Sequence, residues 1–254
     1  MRTLIVAYSF ENLSGIDRYS KLLDAGLIAN HYEHDRFAYG QIKINPILRI
    51  FKLPNEVRKY EPDIIHLTQP HGYEAFLHTK AIKVLTWHDN MIFTRKGMRQ
   101  VYNIYRGETA IKLADVITFN SKKSMFELEK YCRERHIQLE DKLLSVNPIP
   151  IDDIWIKQKI NKDIERRDFT YVGAIHYPHK NLSGLLFAFA NILEEIPSMQ
   201  KPFLNIFTAS PNPRKIIAEK LKEIAKEEVM QYIRIYEKAT DEEILKVLKR
   251  SIAL

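Results

Sequence analysis

The sequence predicts an α/β protein built from two Rossmann-like domains, the second incomplete, and three observations carry that prediction. Short apolar, β-branched runs alternate with longer stretches of helical periodicity, the pattern of a mainly parallel sheet covered on both faces. The alternation is interrupted once, at Asn147-Pro148-Ile149-Pro150-Ile151-Asp152-Asp153, which cannot continue a helix and makes a poor central strand. A fresh β-α series then starts at Phe169. The expected domains are therefore 1–150 and 151–254, with a hinge around 148–167.

In the first domain the strand candidates are Leu4–Tyr8, Ile64–Thr68, Val84–His88, Val116–Asn120 and Leu143–Asn147, each a compact run rich in β-branched or apolar residues. Helical spacing fills 16–29, 47–60, 99–113 and 121–135. His31 and His34 fall in a polar stretch that reads as loop. In the second domain Phe169–Gly173, Leu204–Ala209 and Ile233–Tyr236 alternate with helices at 182–195, 212–227 and 240–250. Over 182–195, Leu182, Leu185, Leu186, Phe189, Ile192 and Leu193 recur at three- and four-residue steps and so share one helix face. Ser251–Leu254 reads as the start of a further strand. Its open edge would be covered by a second copy of the chain, in a homo-oligomer, or by a C-terminal partner.

Composition narrows the class. The 254 residues are 45% hydrophobic and 28% charged, which excludes low-complexity disorder. A single cysteine, Cys132, excludes an intrachain disulfide and a cysteine metal cluster. No apolar run approaches the roughly 20 residues that span a bilayer, and the first residues lack a secretory leader, so a cytoplasmic protein is expected. The net charge is +7, and the excess leans towards residues 1–150. A basic surface favours phosphate-bearing ligands or an anionic membrane, at which the first half would sit peripherally. No long single-sign block occurs, so nucleic acid is not an expected partner.

Open parallel sheets bind ligands at the C-terminal ends of their strands, beside helix N-termini. That rule selects four places. Gly15 precedes the first helix, where it serves either as a turn residue or as room for a ligand near free N–H groups. His88, in Thr86-Trp87-His88-Asp89, ends a buried strand and is either a hydrogen-bonded structural histidine or a group facing substrate. Asp89 reads as a turn residue. Ser121, after Asn120, is an N-cap, a ligand contact or both. The fourth place is Tyr171-Val172-Gly173-Ala174-Ile175-His176-Tyr177-Pro178-His179-Lys180-Asn181. Here Lys180 is either an ordinary solvated lysine or a full charge added to the partial positive charge of a helix N-terminus, a combination suited to a diphosphate. His176 and His179 have no carboxylate or cysteine beside them, so no metal site is expected.

With those residues in hand, the chain resembles the family 4 glycosyltransferases, retaining enzymes of the GT-B fold. Ser14-Gly15-Ile16-Asp17-Arg18-Tyr19 resembles their first glycine loop, Val84-Leu85-Thr86-Trp87-His88-Asp89 their Thr-x-His-Asp segment, and Ala114-Asp115-Val116-Ile117-Thr118-Phe119-Asn120-Ser121 their next strand and cap. Val146-Asn147-Pro148-Ile149 resembles the approach to their hinge, and Tyr171-Val172-Gly173 with Pro178-His179-Lys180-Asn181-Leu182 their donor-phosphate motif. Tyr236–Leu245 resembles the turn and helix beyond the nucleotide-base loop.

The resemblance implies transfer of a sugar, with retention, from a nucleotide-sugar donor to a glycan or lipid-linked acceptor, without a cofactor or metal. It implies that Lys180 neutralises the leaving diphosphate, that Gly15, Ser121, Gly173, His179 and Asn181 contribute to donor binding, and that the catalytic residue His88 contacts the transferred sugar, or the sugar and a phosphate, orienting rather than deprotonating. The first domain would take the acceptor, the second the donor, with closure about the hinge. Two departures stand out. Ala174 occupies a position where many relatives carry arginine, a role that His179 or a nearby arginine would take over. The chain also ends before the family's two donor-binding glutamates, so the alternative is a non-catalytic nucleotide- or glycan-binding or assembly protein of the same fold.

Overall fold

The computed structural model describes every residue except 12–13, 42–45, 95–97, 158–164, 198–199 and 254; the side chains of 46, 47, 94, 98, 99, 179 and 253 also lie outside the description. The expected hinge thus contains a stretch, 158–164, outside the described residues. The chain divides into two compact units, Met1–Asp152 and Asp153–Leu254.

The first unit holds a wholly parallel six-stranded sheet. Its strands are β1 (Thr3–Ala7), β2 (His34–Ala38), β3 (Ile64–Leu67), β4 (Ile82–Trp87), β5 (Val116–Phe119) and β6 (Leu143–Val146), in the spatial order β2-β1-β3-β4-β5-β6. Helices α1 (Gly15–Ala29), α2 (Pro46–Arg58), α3 (Met91–Thr94), α4 (Met98–Leu113) and α5 (Lys122–Glu134) lie between them, with a 3-10 helix at Pro70–Phe76. Leu4, Val6, Ile65, Leu67, Leu85, Trp87, Ile117 and Phe119 meet in one core with Leu128 from α5. Each such side chain contributes about 1.5–3 kcal/mol by leaving water. Strand order reverses between β1 and β3, so the crevice outside their C-terminal ends is the topological binding position.

The second unit is a parallel four-stranded sheet of β7 (Asp168–Val172), β8 (Leu204–Thr208), β9 (Ile233–Glu237) and β10 (Ser251–Ala253), in the order β10-β7-β8-β9. Its helices are α6 (Asp153–Ile156), α7 (Leu182–Glu195), α8 (Pro213–Glu223) and α9 (Asp241–Leu248). β8 is buried at every position, as a strand covered on both faces must be. Leu182, Leu186, Phe189 and Leu193 of α7 pack on Leu204 and Ile206, the face their spacing defines. Here the strand order reverses beside β7.

Two sequence expectations are corrected. His34 is not in a loop: it opens β2, a polar edge strand whose pairing with β1 the sequence HDRFA does not announce. Its Nε2 lies 2.9 Å from Asp24 Oδ1 on α1, and Asp24 Oδ2 accepts from Arg36 Nη1 at 3.2 Å. The helix expected over 212–227 ends at Glu223, and Ala225, at φ 51°, turns the chain into a 3-10 helix at Glu227–Tyr232.

Candidate functional site

Each unit carries a strand-to-helix loop at its point of reversal. In the second unit the loop leaves β7 through Gly173, whose φ of +155° disfavours any side chain and whose N–H donates to Phe207 O on β8 at 2.9 Å. The next residues are tied down by Ser210, which is buried. Its Oγ accepts from Ile175 N–H at 2.9 Å and from the Thr208 hydroxyl at 3.0 Å, and lies 2.8 Å from His176 Nδ1. The loop ends in a 3-10 turn, Pro178–Lys180, that delivers the chain to α7.

Asn181 caps α7. It adopts the left-handed conformation, φ 50° and ψ 46°, and its Oδ1 accepts from Gly184 N–H at 3.3 Å. Gly184 is needed for this, because a Cβ there would come within 2.5 Å of the Asn181 amide. Lys180 is exposed beside the cap, and its ammonium has no partner among the described residues. A full positive charge thus sits at the N-terminus of a 14-residue helix, where the first N–H groups have no intrahelical acceptor. The His179 side chain lies outside the described residues.

In the first unit the corresponding mouth is built differently. Ser14 caps α1: its Oγ accepts from Asp17 N–H at 3.2 Å and its hydroxyl donates to Asp17 Oδ2 at 2.7 Å. Asp17 is buried, and that burial pushes its carboxyl up against the lowering effect of the Ser14 hydrogen bond. The mouth therefore contains its own carboxylate. Gly15 has open space where a Cβ would stand, so packing within the protein does not require glycine there.

Behind this mouth runs a buried polar network. Thr86 Oγ1 on β4 lies 2.7 Å from His66 Nε2, 3.0 Å from Thr118 Oγ1 and 3.1 Å from Tyr19 OH. His88 follows β4 directly. Its Nε2–H donates to Thr68 O at 3.0 Å, its ring meets Tyr19 edge-on at 5.1 Å, and its carbonyl accepts from the Ser124 hydroxyl at 2.8 Å. Burial pushes the His88 pKa down, which favours the neutral ring. With the proton on Nε2, Nδ1 carries the lone pair and has no partner among the described residues. Its chemistry is to accept from a hydroxyl, not to donate to a phosphate. Ser121 caps α5, accepting from Ser124 N–H at 3.1 Å, and Asp89 Oδ1 accepts from Met91 N–H in a turn.

The chain matches no protein-family model and no curated protein sequence. Solved structures share its architecture. An α,α-trehalose-phosphate synthase (UDP-forming) from Burkholderia vietnamiensis superposes with a TM-score of 0.66 at 10% identity, over 98% of this chain and 76% of its own. WaaG, a glycosyltransferase involved in lipopolysaccharide biosynthesis, gives 0.65 at 10%, over 96% and 72%. An α-glucosyltransferase solved with UDP and a 13-mer DNA gives 0.61 at 15%, over 99% and 71%. The shared fold is GT-B. At these identities it is the architecture that is shared, two Rossmann-like domains, and the chain spans about three quarters of the neighbours' length.

Within this GT-B chain, sequence reading missed several polar residues that the fold brings together. His66 reads as one more residue of an apolar strand, yet burial and the nearby His88 push its pKa down to about 4. Glu74 is fully buried in the 3-10 helix after β3, with Arg49 Nη2 3.4 Å from its Oε2. Arg49 from α2 and Arg106 from α4 both donate to His71 O, fixing that loop at the reversal point. No local motif announces these contacts, because their partners lie on separate elements. Cys132 is buried, and burial pushes its thiol up to about 11, an inert state.

Proposed function

We propose that this protein is a glycosyltransferase that binds a nucleotide-sugar through the unit Asp153–Leu254 and transfers the sugar, with retention, to a glycan or lipid-linked acceptor served by the unit Met1–Asp152. The observation that carries the reading is Lys180, whose ammonium has no partner among the described residues, at the N-terminus of α7 beside the strand where the sheet order reverses. In such a transfer the bond between sugar and phosphate breaks, the nucleoside diphosphate departs with the electron pair, an acceptor hydroxyl oxygen forms the new bond to the anomeric carbon on the same face, and its proton passes to the departing diphosphate. Charge grows on its oxygens, and Lys180 and the α7 N-terminus stabilise that growing charge. Gly173 and Asn181 set the course of the loop, and His179 is assigned to donor binding with them. Gly15 leaves room at the α1 mouth, Ser121 holds the start of α5, and His88 orients a sugar hydroxyl through Nδ1. UDP in the α-glucosyltransferase neighbour agrees with a nucleotide donor.

The test is a thermal-shift screen of nucleotide-sugars and nucleoside diphosphates against the wild type and Lys180→Ala. Selective stabilisation by one nucleotide class, lost in the variant, is the expected result. No stabilisation by any of them contradicts the reading. Release of nucleoside diphosphate from the donor that binds separates an enzyme from a non-catalytic binder.

A further inference from the structure

We infer that His176 is a second diphosphate-binding residue, presenting Nε2–H as a fixed hydrogen-bond donor; the inference rests on the proposed donor site at the α7 mouth. Ser210 Oγ has two lone pairs and one proton. Ile175 N–H fills one lone pair at 2.9 Å, and the Thr208 hydroxyl fills the other at 3.0 Å. The geometry between the two hydroxyls makes Thr208 the donor, and Thr208 Oγ1 in turn accepts from Ser210 N–H at 3.1 Å. The Ser210 proton is then left for the atom 2.8 Å away, His176 Nδ1. A neutral imidazole that accepts at Nδ1 carries its own proton at Nε2.

The ring is held in place as well as in tautomer. Ser210 is buried, and the Tyr177 ring is tilted against the imidazole at 3.9 Å between centroids. His176 itself is exposed, and Nε2 has no partner among the described residues. It stands on the same loop as Lys180, between Gly173 and the cap of α7. Ala174 offers no side-chain donor, and its carbonyl is taken by Tyr171 OH at 3.1 Å. A pre-oriented N–H here adds a hydrogen bond to a phosphate oxygen without the rotamer entropy that a free side chain would lose.

Two measurements test this. The first is the 15N chemical-shift pattern of the His176 ring in ligand-free protein at pH 8. Protonation at Nε2, with disruption of the pattern in Ser210→Ala, is expected; protonation at Nδ1 overturns the inference. The second is calorimetry with UDP, GDP and ADP, each against its nucleoside, on the wild type, Lys180→Ala, His176→Ala and His176→Gln. His176→Ala should weaken the diphosphate that binds by about fivefold to tenfold and leave the nucleoside unchanged. His176→Gln, which keeps an N–H near the same place, should recover most of that loss. If Lys180→Ala weakens binding and His176→Ala does not, the inference fails while the donor site stands. If His176→Ala weakens diphosphate and nucleoside alike, the residue is structural and the inference fails. If none of the three diphosphates binds the wild type, both fail.

Discussion

The α1 mouth and the α7 mouth occupy equivalent positions in their two Rossmann-like units, yet they treat their polar groups in opposite ways. At α1 the cap, Ser14, is paired with Asp17, and the groups behind it are spent on one another: Tyr19, His66 and Thr118 on Thr86, and the His88 Nε2–H on Thr68 O. At α7 the cap, Asn181, serves the helix, and Lys180 has no charge partner among the described residues. A carboxylate beside a helix N-terminus already answers the helix dipole, whereas a lysine there adds to it. The same topology thus yields a mouth that holds its own carboxylate in one unit and a mouth flanked by an exposed lysine in the other.

The largest expected effect breaks the first side of the comparison. His66 has a folded pKa of about 4 against about 6.5 unfolded, so folding favours its neutral form. The stability this represents is fully present above about pH 6.5 and is lost as pH falls towards 4, about 3 kcal/mol in all. His88, also pushed down, adds in the same direction, and Asp17, pushed up, opposes it. Urea unfolding between pH 7 and 4 should show this loss, with a flatter profile in His66→Gln. Next, Thr86→Val removes the hydroxyl shared by Tyr19, His66 and Thr118 and should cost about 1–3 kcal/mol at pH 7. Urea midpoints at a constant m value check it. On the other side, Asn181→Ala loses the α7 cap and places alanine at φ 50°, for about 1–2 kcal/mol. A lowered melting temperature reports that loss.

Most of the fold was legible because buried parallel strands are written as apolar runs. Ile64–Leu67, Val116–Phe119 and Leu204–Thr208 stand out against their flanks, and α7 shows its buried face in its spacing. β2 was not legible, because an edge strand of sequence HDRFA takes its order from β1 and from the Asp24 contacts, which are long-range. The loop Gly173–Asn181 could be placed at a helix mouth from local residues alone, since glycine, lysine and cap lie within nine positions. The tautomer of His176 could not, because it depends on Ser210, 34 residues away. The Glu74–Arg49 pair escaped for the same reason.

The most direct test of the account compares charge changes at the two mouths. Affinity for UDP, or for whichever nucleoside diphosphate binds, is measured by calorimetry in the wild type, Lys180→Ala and Asp17→Asn. If the α7 mouth holds the diphosphate, Lys180→Ala weakens binding by about 10- to 100-fold, the scale of a charge-assisted contact, and Asp17→Asn changes it by no more than about twofold. A strong gain in affinity from Asp17→Asn with no loss from Lys180→Ala would place the anion at α1 and contradict the account.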